Sequence, residues 1–302
     1  MSQSTTTTRE YHLFGQPQYK QINALLNTAL TERSPLIAVH RGTGLGNIPE
    51  NTGEAIETAL VQGADMVEID IVESADGDFF LFHDGMERFA FDRDLDLRAL
   101  STAEIRALRY RWVRADARVS ELTDVLERFR GDVLFNVDRS WWYWDRLLPF
   151  ADRFDLAGQL VFKSPVEEAW LEKLRRHPVK YPFIPMVRTR ADIDAVLHDP
   201  DLNLVGVELL AKSATDELAQ PELIDELHDA GLACLLDAIN LADGVPLFQG
   251  RDDHTSVLGD PADGWGWLIA HGADIIQTDW PGLLCRYREE TTGVVPRVHR
   301  RR

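Results

Sequence analysis

The chain has 302 residues, of which 44% are hydrophobic and 27% are charged, and its formal net charge is −18. These proportions exclude collagen, low-complexity disorder and a small disulfide-bonded scaffold, and they suit one large globular domain or two small ones. No apolar run approaches the roughly 18 residues that a transmembrane helix needs. The acidic balance disfavours binding to nucleic acid and insertion into an anionic membrane.

The expected compartment is the cytoplasm. Residues 1–10 are polar and have no apolar core, which is unlike a secretory signal. The two cysteines, Cys234 and Cys285, lie in apolar runs and are too few for a disulfide framework, so we expect buried thiols. The oligomeric state cannot be predicted from these features.

The chain alternates between short apolar runs and longer amphipathic stretches, which is typical of βα units around a parallel sheet. Eight runs are predicted strands: residues 36–40, 66–72, 133–137, 160–162, 183–187, 204–210, 232–239 and 273–278. Helices are predicted between them, at 52–62, 121–129, 167–176, 191–197, 221–230 and 264–270. Eight such units predict a TIM (β/α)8 barrel, with a doubly wound open sheet as the alternative. No linker divides the chain, so we expect a single domain over 1–302, with its core at about 36–290.

Two features interrupt the repeat after the second strand. Residues 78–82 form a further strand-like run, and the turn at 74–77 predicts a hairpin. Residues 84–120 form a short charged insertion with one predicted helix, 101–110, which begins with a capping box of Ser101 and Glu104.

Acidic residues are found at the ends of two predicted strands, where a parallel barrel places its chemistry. Alternation along a strand puts Glu68 and Asp70 on one face, and Asn136 and Asp138 on one face of the next strand. Three converging carboxylates repel one another, and one divalent cation, Mg²⁺ or Ca²⁺, would relieve the repulsion because it prefers oxygen ligands. The alternative is that these are salt-bridged core residues.

Two histidines flank this acidic group. His40 follows the first strand and precedes Arg41, and His83 follows the hairpin. Such a pair suits an acid and a base on opposite sides of a reaction centre. The glycine-rich residues 42–46 lack the G-x-G-x-x-G spacing of a nucleotide site, so we expect no nucleotide there.

At these positions the sequence resembles the glycerophosphodiester phosphodiesterase family of TIM-barrel phosphodiesterases. The resemblance is close over residues 36–85, in the segments 38–42 (AVHRG), 49–52 (PENT), 63–70 (GADMVEID) and 82–85 (FHDG). It is weaker over 119–138 and returns at 272–281 (GADIIQTDWP). It implies metal-dependent hydrolysis of a phosphodiester, with a small-molecule phosphodiester as the partner.

The resemblance also implies roles for individual residues. His40 and His83 correspond to the acid and base, and Arg41 to the guanidinium that grips phosphate oxygens. The implied metal ligands are Glu68, Asp70 and Asp138. Glu50 and Asn51 are expected to line the same mouth, and Asn240 takes the place of a family asparagine after the seventh strand.

Two departures from the family pattern occur in and after the third barrel strand. Asp138 replaces the usual glutamate and Ser140 the usual lysine, which leaves the metal preference open. Lys163, at the end of the next strand, either supplies the lost charge or is a solvated loop residue.

Four aromatic residues, 141–144, follow the same strand, and they either cap the barrel or form a wall against a sugar-like or cationic alcohol. The substrate-binding candidates in this run are Trp141 and Trp142.

The sequence thus predicts a metal-dependent phosphodiester hydrolase. Two alternatives remain: a lyase that releases a cyclic phosphate, and a non-catalytic barrel that binds phosphodiesters. Intact His40 and His83 argue against the second.

Overall fold

The computed structural model describes residues 13–43, 45–111, 116–131 and 133–296. Residues 1–10, on which the prediction about a secretory signal depends, lie outside these ranges, as do Gly44 of the glycine-rich loop and 112–115 of the predicted insertion. Within them the strands are β1 Leu36–Val39, β2 Met66–Glu73, β3 Phe79–Leu81, β4 Ser120–Glu121, β5 Leu134–Asp138, β6 Leu160–Phe162, β7 Met186–Val187, β8 Gly206–Leu209, β9 Ala233–Asp237 and β10 Ile275–Thr278.

Eight of these strands close into a parallel barrel. β1 pairs with β2 on one side and with β10 on the other, and β10, β9, β8 and β7 follow in order. β2 pairs with β5 and β5 with β6. A parallel bridge between Phe162 and Phe183 closes the ring between β6 and β7. The TIM barrel is therefore confirmed, and the open sheet is wrong because the first and last strands are hydrogen-bonded to each other.

The helices follow the strands as the amphipathic pattern predicts. They are α1 Ala24–Arg33, α2 Gly53–Val61, α3 Glu87–Phe91, α4 Thr102–Ala107, α5 Leu122–Arg128, α6 Trp144–Asp152, α7 Glu168–Arg176, α8 Arg190–Val196, α9 Pro221–Asp229, α10 Asp253–Leu258, α11 Trp267–Ala270 and α12 Pro281–Thr292. The predicted helix at 264–270 is divided, since a π-helical turn, Ala262–Gly266, precedes α11. No described helix is long and apolar enough to cross a bilayer. The cytoplasmic location stays a prediction.

The barrel interior is apolar at one end and polar at the other. Apolar side chains such as Ala38, Met66 and Val161 fill the end where the strands begin, and Leu26 and Leu30 of α1 pack against them. Further along the strands the buried side chains are polar, among them Glu68 and Asn136. The change from apolar to polar therefore places the chemistry at the carboxyl ends of the strands.

A small antiparallel sheet stands on the barrel beside this polar end. β2 continues past the barrel and pairs with β3, with Val72 opposite Phe80, and β3 pairs with β4. The hairpin predicted at 74–77 is present, with Gly77 at a φ of +91°. α4 begins at the predicted capping box of Ser101 and Glu104. Phe82 and His83, which follow β3, and residues of α3 lie at the barrel mouth.

Candidate active site

The three predicted metal ligands lie together at the mouth of the barrel. In the register of β2 and β5, Asp70 is opposite Asp138, and Glu68 is opposite Asn136. Carboxylate oxygens of Glu68, Asp70 and Asp138 lie within 4.8 Å of one another. Glu68 and Asp70 are buried, at 1% and 2% exposure. The parallel pairing of two strands with alternating side chains is what brings residues so distant in sequence to one point.

The acidic group is electrostatically strained. Burial raises the pKa of Glu68 well above its usual range, and the charges on Asp70 and Asp138 raise it further. Asn136 lies on β5, which pairs with β2. Both of its side-chain polar atoms are buried and lack a hydrogen-bond partner among the described residues. Oxygen donors at this spacing, with an unsatisfied amide beside them, fit a hard divalent cation.

Arg41 links the loop after β1 to the acidic group. Its backbone N–H donates to Glu68 Oε2 at 2.6 Å, and its guanidinium donates to Glu50 Oε1 at 2.7 Å. Its Nε lies 3.2 Å from Asp70 Oδ2. Burial alone would lower the pKa of Arg41, but the charges of Asp70, Glu50 and Glu68 raise it above its ordinary value. The residue has a left-handed φ of +52°, a strained conformation of the kind found at functional sites.

Two neighbours of Arg41 fix the loop. Gly42 has a φ of +66°, and a Cβ there would lie 3.1 Å from the backbone of Ala55 and Ile56 in α2, so glycine avoids both a strained φ and a close contact. Asn51 donates from Nδ2 to Asp70 Oδ2 at 2.8 Å and accepts from the Asp70 N–H at 3.0 Å. Asn51 therefore holds both the backbone and the carboxylate of Asp70 in place.

Lys163 is buried within the barrel, at 2% exposure, and is not a solvated loop residue. Its Nζ lies 2.8 Å from Asp138 Oδ2 and 2.7 Å from Glu208 Oε2 on β8. Burial alone would lower the pKa of Lys163, yet the carboxylates around it, Asp138 first, raise it well above its ordinary value. The ammonium group therefore stays charged and neutralises the inner side of the acidic group.

The two histidines face a common cavity of about 480 Å³. The ring of His40 pairs through Nδ1 with Asp279 Oδ1 at 2.8 Å. The ring of His83 donates from Nδ1 to the carbonyl oxygen of Asp84 at 2.8 Å, since a carbonyl can only accept. In both rings Nδ1 is engaged, which leaves Nε2 for proton transfer. Burial lowers the pKa of His83, and Asp70 partly opposes this effect.

The role of Asp279 is not evident in the sequence, although the residue lies in segment 272–281, which resembles the family. It follows β10, two residues after the inward-facing Gln277, and this alternation was the available signal. Its backbone N–H donates to Asp253 Oδ2 at 2.8 Å. Burial raises the pKa of Asp253 to about 7, although the hydrogen bonds from Asp279, Thr278 and Trp265 lower it. Asp253 thus supports the residue that orients His40.

The remaining predicted substrate residues lie apart from this cavity. Trp141 is buried in the core between the barrel and its helices, whereas Trp142 is 43% exposed and has the guanidinium of Arg139 over its ring at 5.4 Å. Asn240 is exposed, and its Oδ1 accepts from the His254 backbone N–H. None of the three lines the cavity that contains the histidines, so their contact with substrate stays a prediction.

Comparisons with solved structures agree with the fold. A glycerophosphoryl diester phosphodiesterase from Parabacteroides distasonis is 19% identical, with a TM-score of 0.73 over 94% of this chain and 95% of its own. A phosphodiesterase from Oleispira antarctica, solved with the product sn-glycerol-3-phosphate, is 19% identical, with a TM-score of 0.62 over 85% and 98%. A glycerophosphodiester phosphodiesterase from Thermotoga maritima is 18% identical, with a TM-score of 0.59 over 83% of this chain and 97% of its own.

The comparison of sequences is more specific to a family. No curated protein matches the chain. The model of the glycerophosphoryl diester phosphodiesterase family, however, matches residues 40–283, which include both histidines and all three clustered carboxylates. The chain therefore belongs to the glycerophosphoryl diester phosphodiesterase family.

Proposed function

We propose that the protein is a metal-dependent hydrolase that converts a glycerophosphodiester-like phosphodiester to an alcohol and a phosphomonoester. The observation that carries the proposal is the cluster of Glu68, Asp70 and Asp138 at the barrel mouth, beside the cavity that His40 and His83 line. Membership of the family and the product bound to the Oleispira antarctica neighbour support a small glycerophosphate substrate.

The three carboxylates would hold one divalent cation, Mg²⁺ or Ca²⁺. Such a cation, when bound, neutralises phosphate oxygens and so stabilises the charge that builds up in the transition state. Arg41 is the adjacent cationic side chain, and its guanidinium is suited to phosphate oxygens because it donates several parallel hydrogen bonds. Glu50, which accepts from that guanidinium, sets its direction.

The two histidines would move the protons. One accepts a proton from the attacking water while the other donates a proton to the leaving alcohol, and both do so through Nε2. The Nδ1 contacts with Asp279 and with the Asp84 carbonyl hold the rings in that orientation. This arrangement performs the work of an oriented acid–base pair, in which a partner group fixes the tautomer.

Lys163 and Asn51 would act through the metal ligands. Because the Lys163 ammonium lies against Asp138 and Glu208, it positions Asp138 and supplies the charge that is lost where Ser140 replaces the family lysine. Asn51 positions Asp70 in the same way.

The test is hydrolysis of glycerophosphocholine and of bis(p-nitrophenyl) phosphate, with Mg²⁺ or Ca²⁺ and with EDTA, followed by ³¹P NMR. We expect a phosphomonoester as the first product and no turnover in EDTA. A cyclic phosphate would instead identify the lyase. Loss of turnover in Glu68→Gln, with full turnover in the surface control Asp145→Asn, would support the metal site, since the Asp145 side chain is 73% exposed.

A further inference from the structure

The cavity beside the histidines has a second, apolar end. It is bounded by the loop after β1 and by α3, and its volume of about 480 Å³ is in the range of small-molecule sites. The side chains of this end are aliphatic or aromatic: Leu45, Ile48, Phe82, Met86, Phe89 and Tyr110. The polar lining includes His40 and Asp279, which follow the barrel strands β1 and β10, and His83, which follows β3.

The two ends suit different parts of one substrate. A phosphate placed against the histidines and Arg41 would direct one of its alcohol groups into the apolar end. A polyol there would lose water from its hydroxyl groups, whereas an alkyl group would remove apolar surface from water. Phe82 and Ala90 are buried, while Leu45, Ile48 and Met86 are partly exposed, so an alkyl group bound there would cover apolar surface that meets water in its absence.

We propose that this end of the cavity binds a short alkyl chain carried by one alcohol of a phosphodiester in solution. The enzyme then prefers an alkyl ester of glycerol phosphate to a diester of two polyols. This inference rests on the proposed function, because the same site positions the phosphate. The substrate in this inference is a free molecule rather than a lipid in a bilayer. The reason is that the protein has a net charge of −18 and is therefore repelled by an anionic membrane surface.

The first experiment compares methyl, butyl and hexyl esters of sn-glycerol 3-phosphate in the presence of Mg²⁺. We expect kcat/KM to rise by up to about fourfold for each methylene that the cavity buries. Ile48→Ser and Met86→Gln, two substitutions of partly exposed side chains, should each reduce this dependence. Leu258→Ser is the matched control, because Leu258 is 78% exposed on α10, and it should retain the full dependence.

A binding measurement separates this inference from the proposed function. Titration calorimetry should show that hexyl phosphate binds at least tenfold more tightly than methyl phosphate, whether or not any diester is hydrolysed. If diesters are hydrolysed but neither kcat/KM nor binding depends on chain length, the apolar subsite is wrong and the hydrolase stands. Faster turnover of phosphatidylglycerol vesicles than of the hexyl ester would also overturn the inference.

Discussion

Replacing Lys163 by methionine tests how the barrel tolerates its buried carboxylates. The ammonium is 2% exposed and lies within 2.8 Å of both Asp138 and Glu208. Methionine keeps much of the apolar stem but removes the charge, so the buried Glu208 and the partly exposed Asp138 lose their cation. Removing one partner of a buried ion pair costs about 3–5 kcal/mol, and we expect the free energy of unfolding in urea to fall by that amount.

Lys173→Met is the matched control for this substitution. The Lys173 ammonium is also 2.7 Å from a carboxylate, that of Asp145, but the Asp145 side chain is 73% exposed. Exposed ion pairs contribute about 0.2–1 kcal/mol, so the control should lose less than about 1 kcal/mol. Equal losses in the two variants would refute the argument that burial makes the Lys163 charge indispensable.

The loss should also depend on pH. Burial already raises the pKa of Asp237 and of Glu68, and removal of the nearby cation would raise both further. An acid whose pKa is higher in the folded than in the unfolded state destabilises the fold as pH rises from its unfolded to its folded pKa. The deficit of Lys163→Met relative to the native chain should therefore grow over the pH range that lies above the pKa of these acids in the native fold. A deficit that is constant over this range would mean that lost packing, not charge, causes it.

Four further outcomes follow from the site. Glu68→Gln should abolish turnover and the stabilisation by added Mg²⁺, yet raise the melting temperature of the metal-free protein by about 2 °C, because it relieves about 1 kcal/mol of carboxylate repulsion. His40→Ala and His83→Ala should each lower kcat by about 10²–10⁴, and the double variant should lose much less than the product of the two, as steady-state kinetics will show. Asp253→Asn leaves one acceptor for two N–H donors, so its amide N–H meets either the Asp279 N–H or the Trp265 Nε1–H, and urea unfolding should show a loss of about 1–3 kcal/mol. Calorimetry should detect binding of sn-glycerol 3-phosphate with Mg²⁺ but not in EDTA, since carboxylates outnumber cationic side chains in the site.

The fold and the acidic cluster could be predicted because both depend on local periodicity. Alternation within β2 puts Glu68 and Asp70 on one face, and the parallel register then sets Asp70 beside Asp138. Only the assumption of a barrel is needed to bring them to one mouth. The partners of Lys163 and His40 could not be predicted in this way. Glu208 and Asp279 are distant in sequence, and alternation shows that a side chain points inward but not which inward side chain it meets.

The aromatic run at 141–144 shows a different limit of sequence reasoning. In the sequence it suggests either a cap on the barrel or one continuous aromatic wall. In the structure a 3₁₀ turn, Trp141–Tyr143, rotates successive side chains by about 120°. Trp141 and Trp144 are therefore buried, and Trp144 donates from Nε1 to Ser140 Oγ at 3.0 Å, while Trp142 is half-exposed. The run divides between core and surface, so at most one of its tryptophans presents a face to solvent at the mouth.

The apolar end of the cavity is invisible in the sequence for a related reason. Ile48 comes from the loop after β1, Met86 and Phe89 from the start of α3, and Tyr110 from beyond α4. Each of these residues, taken alone, is an ordinary hydrophobic residue near a turn, and no periodicity connects them. They meet because β2 continues past the barrel into the β2–β3 hairpin, and α3 follows that hairpin at the barrel mouth. The same hairpin delivers His83, so the segment that completes the candidate acid–base pair also determines what can lie beside it. If both proposals hold, specificity and proton transfer are coupled through one hairpin, and a change in its length should alter both.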